Sequence, residues 1–123
     1  HPMTLTALVN VARVSLQTGE VAAALPLAED AAKLADRVYA AAPNGRHAST
    51  FATLAEARLA TGDAAGAATA MRRADMLLAR LDQPAPSVAT YLQKVRARLC
   101  AAAISAACSA NASPATSARV QSG

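Results

Sequence analysis

An all-α fold built from paired helices follows from three features of the sequence. Alanine dominates an apolar fraction of 54%, while the aromatic fraction of 2% is only Tyr39, Phe51 and Tyr91. Alanine has the highest helix propensity and little area to bury, so such a chain makes helices that approach closely and is poorly equipped for a β-sandwich. Apolar residues recur at helical spacing between Gly and Pro corners. Finally, two glycine corners stand 43 residues apart, at Gly19 and Gly62, and the sequence around them repeats. Self-similarity at such a period means stacked helix pairs, none able to bury its apolar face alone.

The first helix is predicted over Thr4 to Thr18, with Leu5, Leu8, Val11, Ala12 and Leu16 in register. Gln17-Thr18-Gly19-Glu20 ends it, because Gly fits the left-handed position that closes a helix. A second segment runs from Val21 to Ala41, with Ala24, Leu27, Ala28, Ala31, Leu34 and Val38 on one side. Pro26 sits inside it, and a proline beyond the first turn costs about 3 kcal/mol, so a start at Leu25 or a bend there is expected. Pro43 and Asn44-Gly45 form the next break. His47 to Ala60 is the third helix, with Phe51, Leu54, Ala55 and Leu59 as its face and Ser49 or Thr50 as N-cap. The fourth runs from Ala64 to Leu81, with Ala67, Met71, Ala74, Leu77, Leu78 and Leu81. After Asp82-Gln83-Pro84-Ala85-Pro86, Ser87 is expected to cap a fifth helix bearing Val88, Leu92, Val95, Leu99 and Ala102 and reaching about Cys108. Ser109 to Gly123 is rich in Ser, Ala and Thr with no apolar period, and is expected to be a disordered tail.

A shift of 43 residues sets Ala12 on Ala55, Leu16 on Leu59, Thr18 on Thr61, Gly19 on Gly62, Glu20 on Asp63, Ala24 on Ala67, Ala31 on Ala74, Leu34 on Leu77 and Arg37 on Arg80. Val11-Ala12, Gly19, Ala24, Ala28 and Ala31 in the first unit, and Leu54-Ala55, Gly62, Ala67, Met71 and Ala74 in the second, form a pattern that resembles the tetratricopeptide repeat family. The long period and "ALPLAEDA" look most like the longer repeats of kinesin light chains and their bacterial relatives. Ser15, Arg58, Ala28 and Met71 depart from it, standing where the family often has aromatic residues. The resemblance implies a right-handed α-solenoid of antiparallel helix hairpins, with one repeat over residues 1–42, a second over 43–83 and a capping helix or half-repeat over 84–108, before the tail at 109–123. With no initiator Met at its front, the sequence reads as a module cut from a larger protein, and the resemblance implies that this is a bacterial regulatory protein, since such proteins often carry these repeats.

The residues themselves argue against chemistry. Gly62-Asp63-Ala64-Ala65-Gly66 lacks the preceding strand and following Lys of a phosphate loop, and Asp63 would repel a phosphate. As a helix corner it makes sense: Gly62 ends one helix, Asp63 complements the N-terminus of the next, and Gly66 permits close approach between helices, a role Ala23 fills in the first unit. His1 and His47 have no carboxylate cluster near them in sequence and read as capping or loop residues. Cys100 and Cys108, about 12 Å apart if both lie on one helix, are too far apart for a disulfide and read as small buried residues in a reducing compartment. No catalytic, metal or cofactor residue is expected. The net charge of +4 is spread over the chain, dense only at Lys94, Arg96 and Arg98, and the stacking aromatics of a nucleic-acid binder are missing. The longest apolar run is about half a membrane span. A cytoplasmic location without a membrane partner is expected.

In the family the first helix of each pair lines a concave groove that holds an extended peptide or a partner helix. The matching positions here are Val9, Asn10, Arg13 and Gln17 from the first unit, Ala52, Thr53 and Glu56 from the second, and Gln93, Lys94 and Ala97 from the fifth helix. Asn10, Arg13, Gln17, Thr53, Glu56 and Lys94 are its candidate ligand contacts, with Arg13 and Glu56 alternatively solvated or paired with each other. A structural or self-associating element of a longer array is the competing expectation.

Overall fold

The structure, a computed structural model, describes residues 2–103. It is all-helical, with α1 (Pro2–Gln17), α2 (Val21–Val38), α3 (Gly45–Ala60), α4 (Ala64–Ala79) and α5 (Pro86–Ala103), and no strand occurs among the described residues. The repeat seen in the sequence is reproduced in the helix limits: adding 43 to the bounds of α1 gives those of α3, and adding 43 to Val21 gives the first residue of α4.

The two corners are built alike. Gly19 and Gly62 have φ of 85° and 90°, values that only glycine adopts without a Cβ penalty. Gly19 N–H donates to Leu16 O (3.3 Å) and Glu20 N–H to Ser15 O (2.8 Å), while Gly62 N–H donates to Leu59 O (3.0 Å) and Asp63 N–H to Arg58 O (2.8 Å). This is the Schellman pattern twice, closing carbonyls that a helix end leaves open. Thr18 and Thr61 each turn their hydroxyl back onto the last carbonyls of the preceding helix.

The corners differ at one position, and there the expected role of Gly66 needs correction. Asp63 caps α4 by accepting from Gly66 N–H at 2.8 Å, and a Cβ on residue 66 would lie 2.1 Å from the Asp63 carboxylate. Gly66 makes room for the cap rather than for a neighbouring helix. In the first unit Ala23 occupies the matching place, and Glu20 makes no side-chain cap.

Three helix starts differ from expectation: α1 begins at Pro2 rather than Thr4, and α3 and α5 also begin early. Helix α2 begins at Val21, as its periodic segment does, with Pro26 inside it; the exposed position of Pro26 leaves the carbonyl one turn back open to water. Helix α3 begins at Gly45, capped by the Asn44 side chain accepting from Arg46 N–H at 2.8 Å. Ser49 and Thr50, the expected caps, instead hydrogen-bond back to Arg46 O. Helix α5 starts at Pro86, whose fixed φ and missing N–H suit a first position, with Ala85 O accepting from Val88 and Ala89, so Ser87 lies inside the helix. The expected extension to Cys108 and the tail at 109–123 lie outside the described residues.

Helix α3 touches all four other helices; α1 also packs on α2, and α4 on α5. Most of α3 is accordingly buried, including Phe51, Leu54, Ala55 and the hydroxyl of Thr50, which is satisfied within one turn. The core is mostly alanine, with Leu5, Leu54, Met71, Leu77, Leu92 and Val95 supplying the larger side chains. Between the units, His47 is buried rather than a loop residue: its Nε2 lies 2.7 Å from Asp36 Oδ1, and its ring sits between those of Tyr39 and Phe51. Arg73 of α4 reaches the same Asp36 oxygen at 2.9 Å and covers the Phe51 ring. Arg73 and Asp36 are both nearly half exposed, so this ion pair contributes little by itself.

Cys100 is disulfide-bonded, contrary to the expected pair of reduced thiols. That expectation required both cysteines on one continuous helix; α5 is described to Ala103, and Cys108, the chain's other cysteine, lies outside the described residues. Disulfides persist mainly in oxidising compartments, so the cysteines no longer argue for a reducing one. Among the described residues, no helix is long and apolar enough to cross a membrane.

Candidate binding groove

Helix α3 lies between α1 and α5, and each of the three turns polar residues toward one cavity of about 650 Å³. Residues three, four or seven apart share a helix face, which is how Arg13 and Gln17 on α1, Thr53 and Glu56 on α3, and Tyr91, Lys94 and Arg98 on α5 come together. Arg13, Gln17, Glu56, Tyr91, Lys94 and Arg98 line the cavity, with Pro86, Ser87 and Thr90 at the start of α5 along its edge.

Tyr91 is the centre of the arrangement. Its hydroxyl donates to Glu56 Oε1 at 2.5 Å and lies 2.9 Å from Thr53 Oγ1. With the one phenol proton given to Glu56, Thr53 is the donor to the Tyr91 oxygen, so the bonds run in one direction from Thr53 through Tyr91 to the carboxylate. Arg98 pairs with the other Glu56 oxygen. The Arg13 guanidinium lies over the Tyr91 ring, 4.2 Å from its centroid. Burial, then the charge of Glu56, then the hydrogen bond to it hold the phenol far above its usual range, while Thr53 and Arg13 pull weakly the other way.

This geometry separates the expected contacts. Arg13, Gln17, Glu56 and Lys94 meet at the cavity. Arg13 and Glu56 are neither free nor paired with each other, because Tyr91 stands between them. Thr53 is 1% exposed and serves Tyr91 rather than the open groove. Asn10 is exposed on α1 but does not line the cavity, and the same holds for Gln93 and Ala97 on α5. Val9 and Ala52 are buried in the core, since the helix faces carrying them pack inward. Tyr91 and Arg98 were not among the expected residues, although their spacing from Lys94 places all three on one face.

The charge in the groove is unbalanced. Glu56 is occupied by Arg98 and Tyr91, which leaves Arg13 and Lys94 without an acidic partner among the described residues. By contrast, Arg96 pairs with Asp75 on the side away from the groove. A second, shallower concavity of about 350 Å³ lies on α3 and α4, with Phe51, Leu54 and Met76 beneath Arg58, Arg72 and Arg73. No group of three or more His, Cys, Asp or Glu residues is placed to hold a metal among the described residues. Compared with protein-family models, curated proteins and solved structures, the chain matches none of them.

Proposed function

We propose that this chain is a non-enzymatic helical-repeat module, a tetratricopeptide-like right-handed solenoid segment that holds a peptide or partner helix in the groove of α1, α3 and α5. The observation that carries this reading is the convergence of Arg13, Gln17, Glu56 and Lys94, from three separate helices, on one open cavity. The matching helix limits and the twin Schellman corners support the repeat architecture. Arg13 and Lys94, which have no acidic partner among the described residues, select the chemistry of the ligand: an extended segment with acidic side chains, whose carboxylates meet two cations while apolar groups rest on Leu16 and the free side of the Tyr91 ring.

Nucleic-acid binding through the Lys94–Arg98 stretch is less well supported, because Arg96 and Arg98 are both engaged with carboxylates. The role that follows is that of a scaffold within a larger regulatory protein. An array of immobilised peptides of acidic, neutral and basic composition tests the reading. Acidic peptides are expected to retain the labelled chain, and Lys94→Glu to abolish retention. Equal retention of all three classes, or indifference to Lys94→Glu, would remove the groove assignment.

A further inference from the structure

The outer face of α1 is unlike the rest of the surface. Thr4, Ala7, Val11 and Val14 follow one another at spacings of three and four, and all are exposed, Val11 at 51% and Val14 at 56%. Helix α1 carries one charged residue, Arg13, and that one is held over the Tyr91 ring. A surface helix without a free charge and with two large apolar side chains in the open has the composition of an interface core.

The internal repeat shows what covers such a face. Adding 43 converts Thr4, Ala7, Val11 and Val14 into His47, Thr50, Leu54 and Ala57, which are 4%, 0%, 3% and 0% exposed. On α3 this face packs against the helix that precedes it, α2, whose Ala28 and Ala32 share the core with Phe51 and Leu54 and whose Asp36 bonds His47. The same face in two copies of one unit is thus closed in one and open in the other. An intact second copy of the chain does not supply the missing helix, because Ala28 and Ala32 of α2 and Ala70 and Ala74 of α4 are already buried at home.

We infer that the Thr4–Val14 face of α1 is a docking surface for the second helix of a further 43-residue unit: an α2-like helix, antiparallel to α1, with alanine at spacings of three and four. The seam takes small residues because Val14 protrudes where α3 has Ala57, and Val11 is only one carbon shorter than the matching Leu54. This goes beyond ligand binding in the groove and stands or falls separately from it.

The test places a duplicate of residues 1–43 directly before His1, which keeps the 43-residue interval and sets a second Val21–Val38 segment over α1. Urea unfolding is followed for the original and extended chains, each with and without the pair Val11→Lys and Val14→Lys in α1. The extension is expected to raise the midpoint of one cooperative transition, with a thermal shift above about 5 °C. The lysine pair is expected to cancel that rise while leaving the original chain unchanged. An unshifted midpoint, or equal loss from the lysine pair in both chains, would overturn the inference. So would sedimentation showing that the original chain dimerises and that the lysine pair dissolves the dimer, since the occupant would then be a second copy.

Discussion

Replacing Tyr91 with Phe removes one hydroxyl and leaves the ring in place beneath Arg13. The lost bond runs to a carboxylate, and such bonds contribute about 1.5–3 kcal/mol. Glu56 keeps Arg98, and Thr53 can donate to Ser49 O instead, 3.1 Å away, so neither partner is stranded. A loss of about 2 kcal/mol at pH 7 is therefore expected, or roughly 10 °C in thermal midpoint for a domain of this size. The pH dependence adds a sharper signature. Because the folded state holds the phenol far above the ordinary value near 10, folded Tyr91 stays protonated where the unfolded chain has begun to ionise. The contribution of Tyr91 is thus complete below pH 10 and declines as pH rises toward the folded value, by about 1.4 kcal/mol at pH 11. The Tyr91→Phe variant has no phenol to titrate and no such decline, so the gap between the two proteins should narrow from about 2 kcal/mol at pH 7 to under about 1 kcal/mol at pH 11. Urea titrations followed by circular dichroism at both pH values measure this. A gap below about 0.5 kcal/mol at pH 7, or one that does not change with pH, would refute the buried network.

Three further outcomes follow from the fold. Gly66→Ala should cost about 1 kcal/mol by displacing the Asp63 cap, yet in an Asp63→Ala background it should stabilise by a similar amount through helix propensity; denaturant midpoints of the four proteins would reveal the reversal of sign. Leu92→Ala, which hollows the contact of α5 with the core, should cost about 2–5 kcal/mol in urea unfolding. Thiol titration of the unfolded but unreduced protein should find Cys100 blocked and release it only after reductant is added.

The fold was largely legible because helical periodicity and glycine corners are local signals. Gly19 and Gly62 marked the corners correctly, and the spacing of the two units carried over to the helix limits. Boundaries failed where two residues competed for one job. Asn44-Gly45 reads as a turn, but Asn44 is also a cap, and it took that place from Ser49 and Thr50. Pro26 was tolerated inside α2 because its side faces solvent.

Arg13, Gln17, Glu56 and Lys94, chosen by matching helix positions, come together at one cavity because equivalent helices present equivalent faces. Tyr91 was missed because its role depends on partners 35 and 38 residues away, Glu56 and Thr53, with no pattern linking them in the sequence. His47 and Asp36 were missed for the same reason: their bond crosses from α2 to α3. For Cys100, the spacing argument supposed one continuous helix through Cys108, which lies outside the described residues.

Amide chemical-shift mapping of the labelled chain, titrated with the acidic peptide best retained on the array, tests the groove most directly. Shifts gathered on Arg13, Gln17, Tyr91, Lys94 and Arg98 are expected, with Val11, Val14 and Arg72 unmoved. Shifts centred on Arg58, Arg72 and Arg73, or scattered over the surface, would contradict a binding site formed by α1, α3 and α5.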